Sequence, residues 1–336
     1  MQYRIYAIFA LIIFFQACSS NRLDVDVSGV DVNIDYDRFE EKMFAVKSVD
    51  EMKQLNKDLL ESGGELYEFY VYEMLRSGSV YDDSIGNYLY YFVSDSIMKM
   101  TYQDMKAKFG DFSIEKEGIN DMFKHLKFHL PKAAIPEKVI TYNSAFNYGV
   151  ISTDSKMGLG LEMYLGPYNR VVKELGFPLY IKEKMTADYL LVDIAHSWLI
   201  TNVMENKKGD TFLSEMIHYG KLRYLIDAMM PDVEDHLKIR YTKEEYEWSL
   251  ASEYNIWQFL MDMNWVYSTE MKVKMRFFEE APTTVGLEGS PGRIGQFMGW
   301  QMVRQYMDKN KEVTVEQLLN EKNESKFLKT YKPKDE

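Results

Sequence analysis

The sequence is almost devoid of cysteine, since Cys18 is the only one in 336 residues. A secreted chain that forms disulfides needs at least two cysteines. If Cys18 is itself modified, no thiol remains in the rest of the chain. That excludes disulfides, thiolate zinc sites and cysteine nucleophiles together.

Basic residues are also in deficit, with 40 Lys and Arg against 52 Asp and Glu and a net charge of −12. Without a basic face that could displace phosphate counterions, the chain is not expected to bind nucleic acid. The same deficit argues against electrostatic adhesion to anionic lipid. Any attachment to a membrane therefore has to come from another source.

Long hydrophobic runs are scarce too. The N-terminal apolar run covers residues 5–15 and is well below the roughly 18–20 residues that span a bilayer. It follows the basic Arg4 and matches the apolar core of a secretory signal peptide, which we place at residues 1–17.

Cys18 follows this segment and the small residue Ala17, which is the arrangement of a bacterial lipoprotein. In such proteins the thiol receives a diacylglycerol, the peptide is cut before the cysteine, and the new N-terminus is acylated. The sequence thus predicts a stable lipid anchor at Cys18. Ser19 and the lack of an early acidic cluster favour the outer membrane, with the protein facing the periplasm. Phe15 and Gln16 depart from the usual lipoprotein box, so a cleaved signal with an incidental cysteine is the alternative.

The chain does have many aromatic residues, 15% in all, and 22 methionines, which indicate a well-packed interior. Residues 18–32 lack a helical stripe and are interpreted as a lipidated tether. Apolar residues at three- and four-residue spacing predict a helical N-terminal region over residues 33–135, in which Ser48 and Glu51 form a capping arrangement. Residues 136–333 are predicted to form a further domain packed against this region.

That domain begins with strands and continues with helices. Strands are predicted over residues 139–142, 148–153 and 159–165, and they form a small antiparallel sheet with a turn at 154–157. Helices are predicted over residues 187–204, 211–229, 242–263, 291–308 and 315–320. The fourth is expected to start with Ser290 as cap and Pro291 in its first turn, and Gly295 and Gly299 would permit a close helix crossing. The predicted fold class is α+β and predominantly helical.

The first of these helices partly matches the H-E-x-x-H motif of zinc peptidases, in which two histidines bind the metal and the glutamate activates water. Residues 192–196 read Val-Asp-Ile-Ala-His, so Val192 replaces the first histidine and Asp193 the glutamate, while His196 is retained. Such enzymes take another ligand from a glutamate on the following helix. Here the corresponding stretch, residues 216–221, has Tyr219 and no glutamate.

A zinc site with atypical ligands could still use Asp193, His196 and His218, since one carboxylate and two imidazoles make a workable set. The structural alternative is that Asp193 and His196 are polar residues at the edge of a core, satisfied by hydrogen bonds. We expect no bound metal, and hence no cofactor besides the acyl chains on Cys18. A zinc-dependent peptidase remains the alternative function.

Four sequence blocks resemble the gliding motility lipoprotein GldB family of the Bacteroidota. They lie at residues 147–166, 213–231, 247–269 and 290–307, and they include the runs Gly-Leu-Gly-Leu-Glu-Met-Tyr-Leu-Gly, Asp-Ala-Met-Met-Pro and Ser-Pro-Gly-Arg-Ile-Gly. With the lipidated N-terminus they cover essentially the whole mature chain. The resemblance implies an envelope lipoprotein of the gliding or type IX secretion apparatus, with a fold similar to zincin metallopeptidases. Its partners would be envelope proteins of that machinery.

Two residues are candidates for a cleft in such a peptidase-shaped protein. Arg293 lies at the start of a predicted helix, where an anionic group such as a carboxylate would be held, and Glu253 lies on the helix before it. One interpretation pairs the two side chains to fix two helices. The other places both in a cleft that binds a peptide segment along the edge of the strand hairpin. Glycan binding on exposed aromatics is a third possibility, but the aromatic residues recur at core spacing.

Overall fold

The computed structural model describes residues 21–205 and 209–335. The predicted signal peptide and Cys18 lie outside the described residues. Within the described part, no helix is both long enough and apolar enough to cross a bilayer.

The described chain is predominantly helical, with one small sheet, as the sequence predicts. The strands are β1 Asp35–Arg38, β2 Lys138–Tyr142, β3 Val150–Ser152 and β4 Lys156–Gly160. The helices before β2 are α1 Phe39–Ala45, α2 Val49–Gly63, α3 Glu65–Phe69, α4 Ile85–Ser94, α5 Ser96–Phe109 and α6 Ser113–His129. Those after β4 are α7 Arg170–Glu174, α8 Leu179–Lys182, α9 Leu190–Asn202, α10 Phe212–Met229, α11 Asp235–Lys238, α12 Lys243–Ala251, α13 Glu253–Asp262, α14 Met271–Phe278, α15 Ile294–Lys309, α16 Val315–Asn320 and α17 Glu324–Thr330.

The sheet is mixed, which corrects the prediction of an antiparallel one. Its order is β1-β2-β4-β3, with β1, β2 and β4 parallel and only β3 antiparallel to β4. Strand β1 comes from the region predicted to be helical and pairs about a hundred residues away, where Asp35 lies opposite Lys138. Alternation along one strand carries no information on such a distant partner, so the sequence could not reveal this pairing.

The third strand also ends earlier than predicted. β4 stops at Gly160, and Leu161–Tyr164 turns into a 3₁₀-helix instead of continuing the strand. A Cβ on Gly160 would collide with the carbonyl oxygen of Tyr148, so the chain enters this turn through a very close backbone approach.

Most predicted helices are confirmed, with shifted ends. The last, Val315–Asn320, is confirmed to the residue, whereas the one predicted over 242–263 breaks at Ser252 into α12 and α13. Ser48 accepts a hydrogen bond from the Glu51 backbone N–H, as expected. Ser290 does not cap α15, because its hydroxyl donates to the carbonyl of the next residue and the helix starts only at Ile294.

The described part of the predicted tether, residues 21–32, contacts the folded body near its start. Arg22 donates hydrogen bonds to the carbonyl oxygens of Met307 and Val313, at 3.0 and 2.6 Å. Leu23 and Val27 are buried. The alternation of polar and apolar residues in this segment reflects a chain lying along a surface, with one side buried.

The sheet separates helices α1 to α4 from the larger core, to which α5 and α6 belong. Ile140 and Tyr142 on β2 pack against α1 to α4, while Val139, one residue earlier, belongs to the main core. At the centre of that core α10 crosses α15 closely. A Cβ on Gly299 would collide with the Met216 carbonyl oxygen, which bears out the expected role of this glycine. The crossing fixes α10 beneath the cavity described next.

Candidate binding cleft

A cavity of about 520 Å³ lies between the start of β3, helix α9 and the loop that leads into α15. Gly149 and Val150 form its wall on the strand side, and Asp193 and His196 line it from α9. Because the sheet order ends at β3, this wall is an edge of the sheet. The cleft thus combines a strand edge with the helix that partly matches the peptidase motif.

Asp193, which stands where a peptidase has its catalytic glutamate, is held by two partners. Its Oδ2 accepts hydrogen bonds from the Arg240 guanidinium and from the Tyr164 hydroxyl, the latter at 2.8 Å. Burial lowers the pKa of Arg240, but the Asp193 carboxylate outweighs that effect and raises it above its usual value. A carboxylate so engaged is poorly placed to take a proton from water.

The candidate zinc ligands do not converge in the described part of the chain. Asp193 and His196 line the cleft, whereas His218 lines a different cavity of about 740 Å³ beside Lys221. Val192 is buried in the core, and no three His, Cys, Asp or Glu side chains come together among residues 21–205 and 209–335. These residues do not fit the zinc of a zincin.

Glu253 and Arg293 are not brought together either. Arg293 lines the cleft and forms an ion pair with Glu280 at 2.6 Å, so it does pair with an acid, but Glu280 takes the place suggested for Glu253. Glu253 is fully buried, and its Oε1 accepts a hydrogen bond from the Tyr331 hydroxyl at 2.8 Å. It fixes the C-terminal segment and is not among the residues lining the cleft.

Arg223 is a residue that sequence reasoning missed. It lines the cleft from α10, yet it is only 1% exposed. Its Nη1 donates to the Lys238 carbonyl and its Nη2 to the Gln296 side chain, both at 2.8 Å, while Nε–H has no partner. Within the described residues no carboxylate forms an ion pair with it.

Burial, and to a smaller extent the nearby charge of Arg293, lower the pKa of Arg223 to about 9. A guanidinium is still protonated at neutral pH under these conditions. The cleft therefore holds a buried positive charge that forms no ion pair with a carboxylate of the described residues, although Asp193 lies near enough to stabilise it partly. Such a site attracts anions.

The remaining charged groups of the cleft are paired. Lys184 lies 3.1 Å from Glu245, Arg240 pairs with Asp193, and Arg293 pairs with Glu280. Lys184, Arg240 and Glu280 also escaped the sequence analysis, because they come from three separate loops that only the fold assembles. A signal for Arg223 was available, since the residues on both sides of it in the second half of α10 are mostly apolar and buried.

Comparison with known proteins gives one match. The family model described as gliding motility protein GldB matches residues 20–333, which is nearly the whole chain. No curated protein and no solved structure matches. The zincin-like fold therefore remains a prediction.

Proposed function

The chain belongs to the gliding motility protein GldB family, and on that premise we propose that it is a lipid-anchored, partner-binding component of the gliding or type IX secretion apparatus. It acts as a scaffold in the cell envelope and does not cleave peptides. The proposal includes Cys18 as the lipid attachment point and the periplasmic face of the outer membrane as its location. The envelope proteins of the same machinery are its partners.

The observation that carries the non-catalytic part of the proposal is the state of Asp193. Water activation by a peptidase requires a carboxylate that can accept a proton next to a bound metal. Asp193 is instead tied to Arg240 and Tyr164, and the adjacent ligand position is the buried side chain of Val192. On this proposal the peptidase-like helix builds a cleft wall, and Asp193 does not activate water.

The cleft supports docking of an extended partner segment. Main-chain groups at the β3 edge can pair with an added strand, and side chains of that strand would enter the cavity beside Val150. Binding of this kind needs neither metal nor nucleophile. It is compatible with membership of a family named for gliding motility.

The proposal is tested by deleting the gene in a gliding host and complementing it. We expect the deletion to stop surface spreading and the wild-type gene to restore it. If spreading continued undisturbed after deletion, the proposal that this chain takes part in gliding would be wrong.

The lipid anchor is tested in the same strain with Cys18→Ala. The variant lacks the thiol that carries the acyl chains, so it should remain folded, leave the membrane fraction and fail to restore spreading. Membrane fractionation with immunoblotting measures the first effect. A Cys18→Ala protein that still sediments with membranes would refute the lipoprotein assignment.

Elemental analysis distinguishes the proposed scaffold from the alternative, a zinc peptidase. The wild-type protein is purified without chelator and compared with His196→Ala. Zinc at near one atom per chain that disappears in the variant would overturn the non-catalytic proposal and call for peptidase assays.

A further inference from the structure

The unpaired charge of Arg223 points to the chemistry of the ligand. We propose that the cleft binds a carboxylate group of an extended peptide, held by Arg223 at its floor. This deepens the proposed partner docking and rests on it. It adds which atoms recognise the partner and which chemical group the partner must present.

The first argument is the charge count of the cleft. The lining has four basic side chains, Lys184, Arg223, Arg240 and Arg293. Three of them are matched by Glu245, Asp193 and Glu280, which leaves one positive charge in excess. A single carboxylate neutralises that charge, whereas a doubly charged phosphate would leave the cleft with a negative excess.

The second argument is the hydrogen-bonding capacity of Arg223. A guanidinium has five N–H donors, and here only two bonds to protein acceptors are formed. The Nε–H is buried without an acceptor, which costs stability unless a ligand supplies one. Arginine and carboxylate match as a planar, bidentate pair, so a carboxylate can use the vacant N–H groups together.

The third argument is the apolar part of the lining. Val150, Met163, Met185, Val192 and Ile200 line the same cavity. A peptide that places its carboxylate on Arg223 can therefore bury a neighbouring apolar side chain against these residues. Both a C-terminal carboxylate and an acidic side chain next to an apolar residue fit this description.

The experiment uses the purified full-length protein in detergent, labelled with ¹³C at the methionine methyl groups. Met163 and Met185 line the cleft and report on its occupation. The probes are the peptide acetyl-Ala-Ala-Leu with a free carboxylate, the same peptide as its C-terminal amide, acetyl-Ala-Asp-Leu-amide, and inorganic phosphate. The amide differs from the free acid only in charge and one atom.

We expect the free acid to shift the Met163 and Met185 signals and to bind about tenfold more tightly than the amide, because a charge-assisted bond is lost with the carboxylate. The Asp-containing amide distinguishes a side-chain carboxylate from a C-terminal one. If neither the free acid nor the Asp-containing amide bound more tightly than acetyl-Ala-Ala-Leu-amide, the proposal would be overturned even if every variant failed to fold. Tighter binding of phosphate than of both carboxylates would overturn it as well.

Arg223→Gln removes the charge, and we expect it to lose at least about tenfold in affinity for the free acid. Arg170→Gln is the matched control, because it makes the same change at an exposed ion pair with Asp104. The control should bind like the wild type, and an Arg223→Gln protein that also does so would refute the role of Arg223. These results concern the cleft alone, while loss or retention of spreading in the deletion strain decides the proposed function.

Discussion

Helix α10 carries two buried charges one turn apart, and their surroundings are opposite. Asp227 accepts hydrogen bonds from Trp300 Nε1 and Arg304 Nε, both at 2.8 Å, and lies 3.2 Å from Lys238 Nζ. Arg223 has only two neutral acceptors and no acidic partner in the described chain. The fold thus provides charged partners for Asp227, whereas it provides no ion-pair partner for Arg223.

The difference shows how a buried charge can serve either architecture or binding. The bonds of Asp227 join α10 to α15 and, through Lys238, to α11, so they fix helices in place. Those of Arg223 leave its buried Nε–H without an acceptor, in a side chain that lines the cleft. Unsatisfied buried donors are uncommon in proteins, and Arg240, which lines the same cleft, has one as well at its Nε. The residue type alone would not have distinguished the two roles.

The largest effect is expected for Asp227→Asn. The change keeps the shape but leaves Arg304 and Lys238 with a single remaining acid, Asp235. Breaking a buried ion pair on one side typically costs about 3–5 kcal/mol of unfolding free energy. Urea unfolding measures it, with Asp104→Asn at an exposed pair as control, for which at most about 1 kcal/mol is expected. If Asp227→Asn lowered the unfolding free energy by less than about 1 kcal/mol, the proposed structural role of Asp227 would be wrong.

The second effect concerns Glu162, a buried acid that, like Arg223, has only neutral partners. Its Oε1 accepts hydrogen bonds from the backbone N–H groups of Ser144 and Phe146, at 2.7 and 3.1 Å. Burial raises the pKa of Glu162 and these bonds lower it, but burial has the larger effect, so the pKa rises from 4.5 to about 7. The folded state therefore holds the proton more tightly than the unfolded state, and stability falls as pH rises from 4.5 to about 7.

Glu162→Gln should abolish this fall, which corresponds to at most about 3 kcal/mol. Urea unfolding of wild type and variant at several pH values between 4.5 and 7.5 measures the difference. If the two proteins change in parallel, Glu162 does not titrate in the folded state as described.

A third, smaller effect has the opposite sign. Arg223→Met replaces an uncompensated buried charge by an apolar chain of similar length, so it should raise the unfolding free energy by about 1–2 kcal/mol. The same variant should not bind the free-acid peptide. Thermal unfolding without ligand is the measurement, and a destabilised variant would indicate that Arg223 is a structural residue like Asp227.

The smallest effect is the loss of stability at acid pH that arises from Asp235, which shares Arg304 and Lys238 with Asp227. Burial raises the pKa of Asp235, but hydrogen bonds from Arg304 and the charges of Arg304 and Lys238 outweigh it and lower the pKa to about 2. The stabilisation is present above the unfolded value of 3.8 and is lost as pH falls towards 2. After allowance for solvent screening it amounts to about 1 kcal/mol. Asp235→Asn should remove this part of the fall in unfolding free energy between pH 4 and 2, which urea unfolding at several pH values measures. If the variant lost as much stability over this range as the wild type, the prediction would be wrong.

Local patterns predict much of this fold. Helix α10 follows from its apolar run and the Thr211 cap, and α16 is confirmed from end to end. The position of β1 does not follow, because its four residues are too few for a pattern and its partner is distant in the sequence. Parallel pairing across such a separation is decided by packing and not by local propensity.

The candidate site was predictable in one wall only. Asp193 and His196 were found through their match to a helical motif, and Arg293 through its place near a helix start. Arg240 and Glu280 lie in loops whose sequences have no special spacing. Their convergence depends on where α11 and α14 end, and this is a property of the packed molecule.

The contacts of Arg22 limit the distance between the folded body and a lipid attached to Cys18. If the lipid is on Cys18, only four residue steps separate it from the first side chain fixed to the body, a span of at most about 14 Å. With such an anchor the body would lie close to the bilayer, with the segment from Met307 to Val313 turned towards it. It would then not search a wide volume for partners, which would have to reach it in the layer next to the membrane.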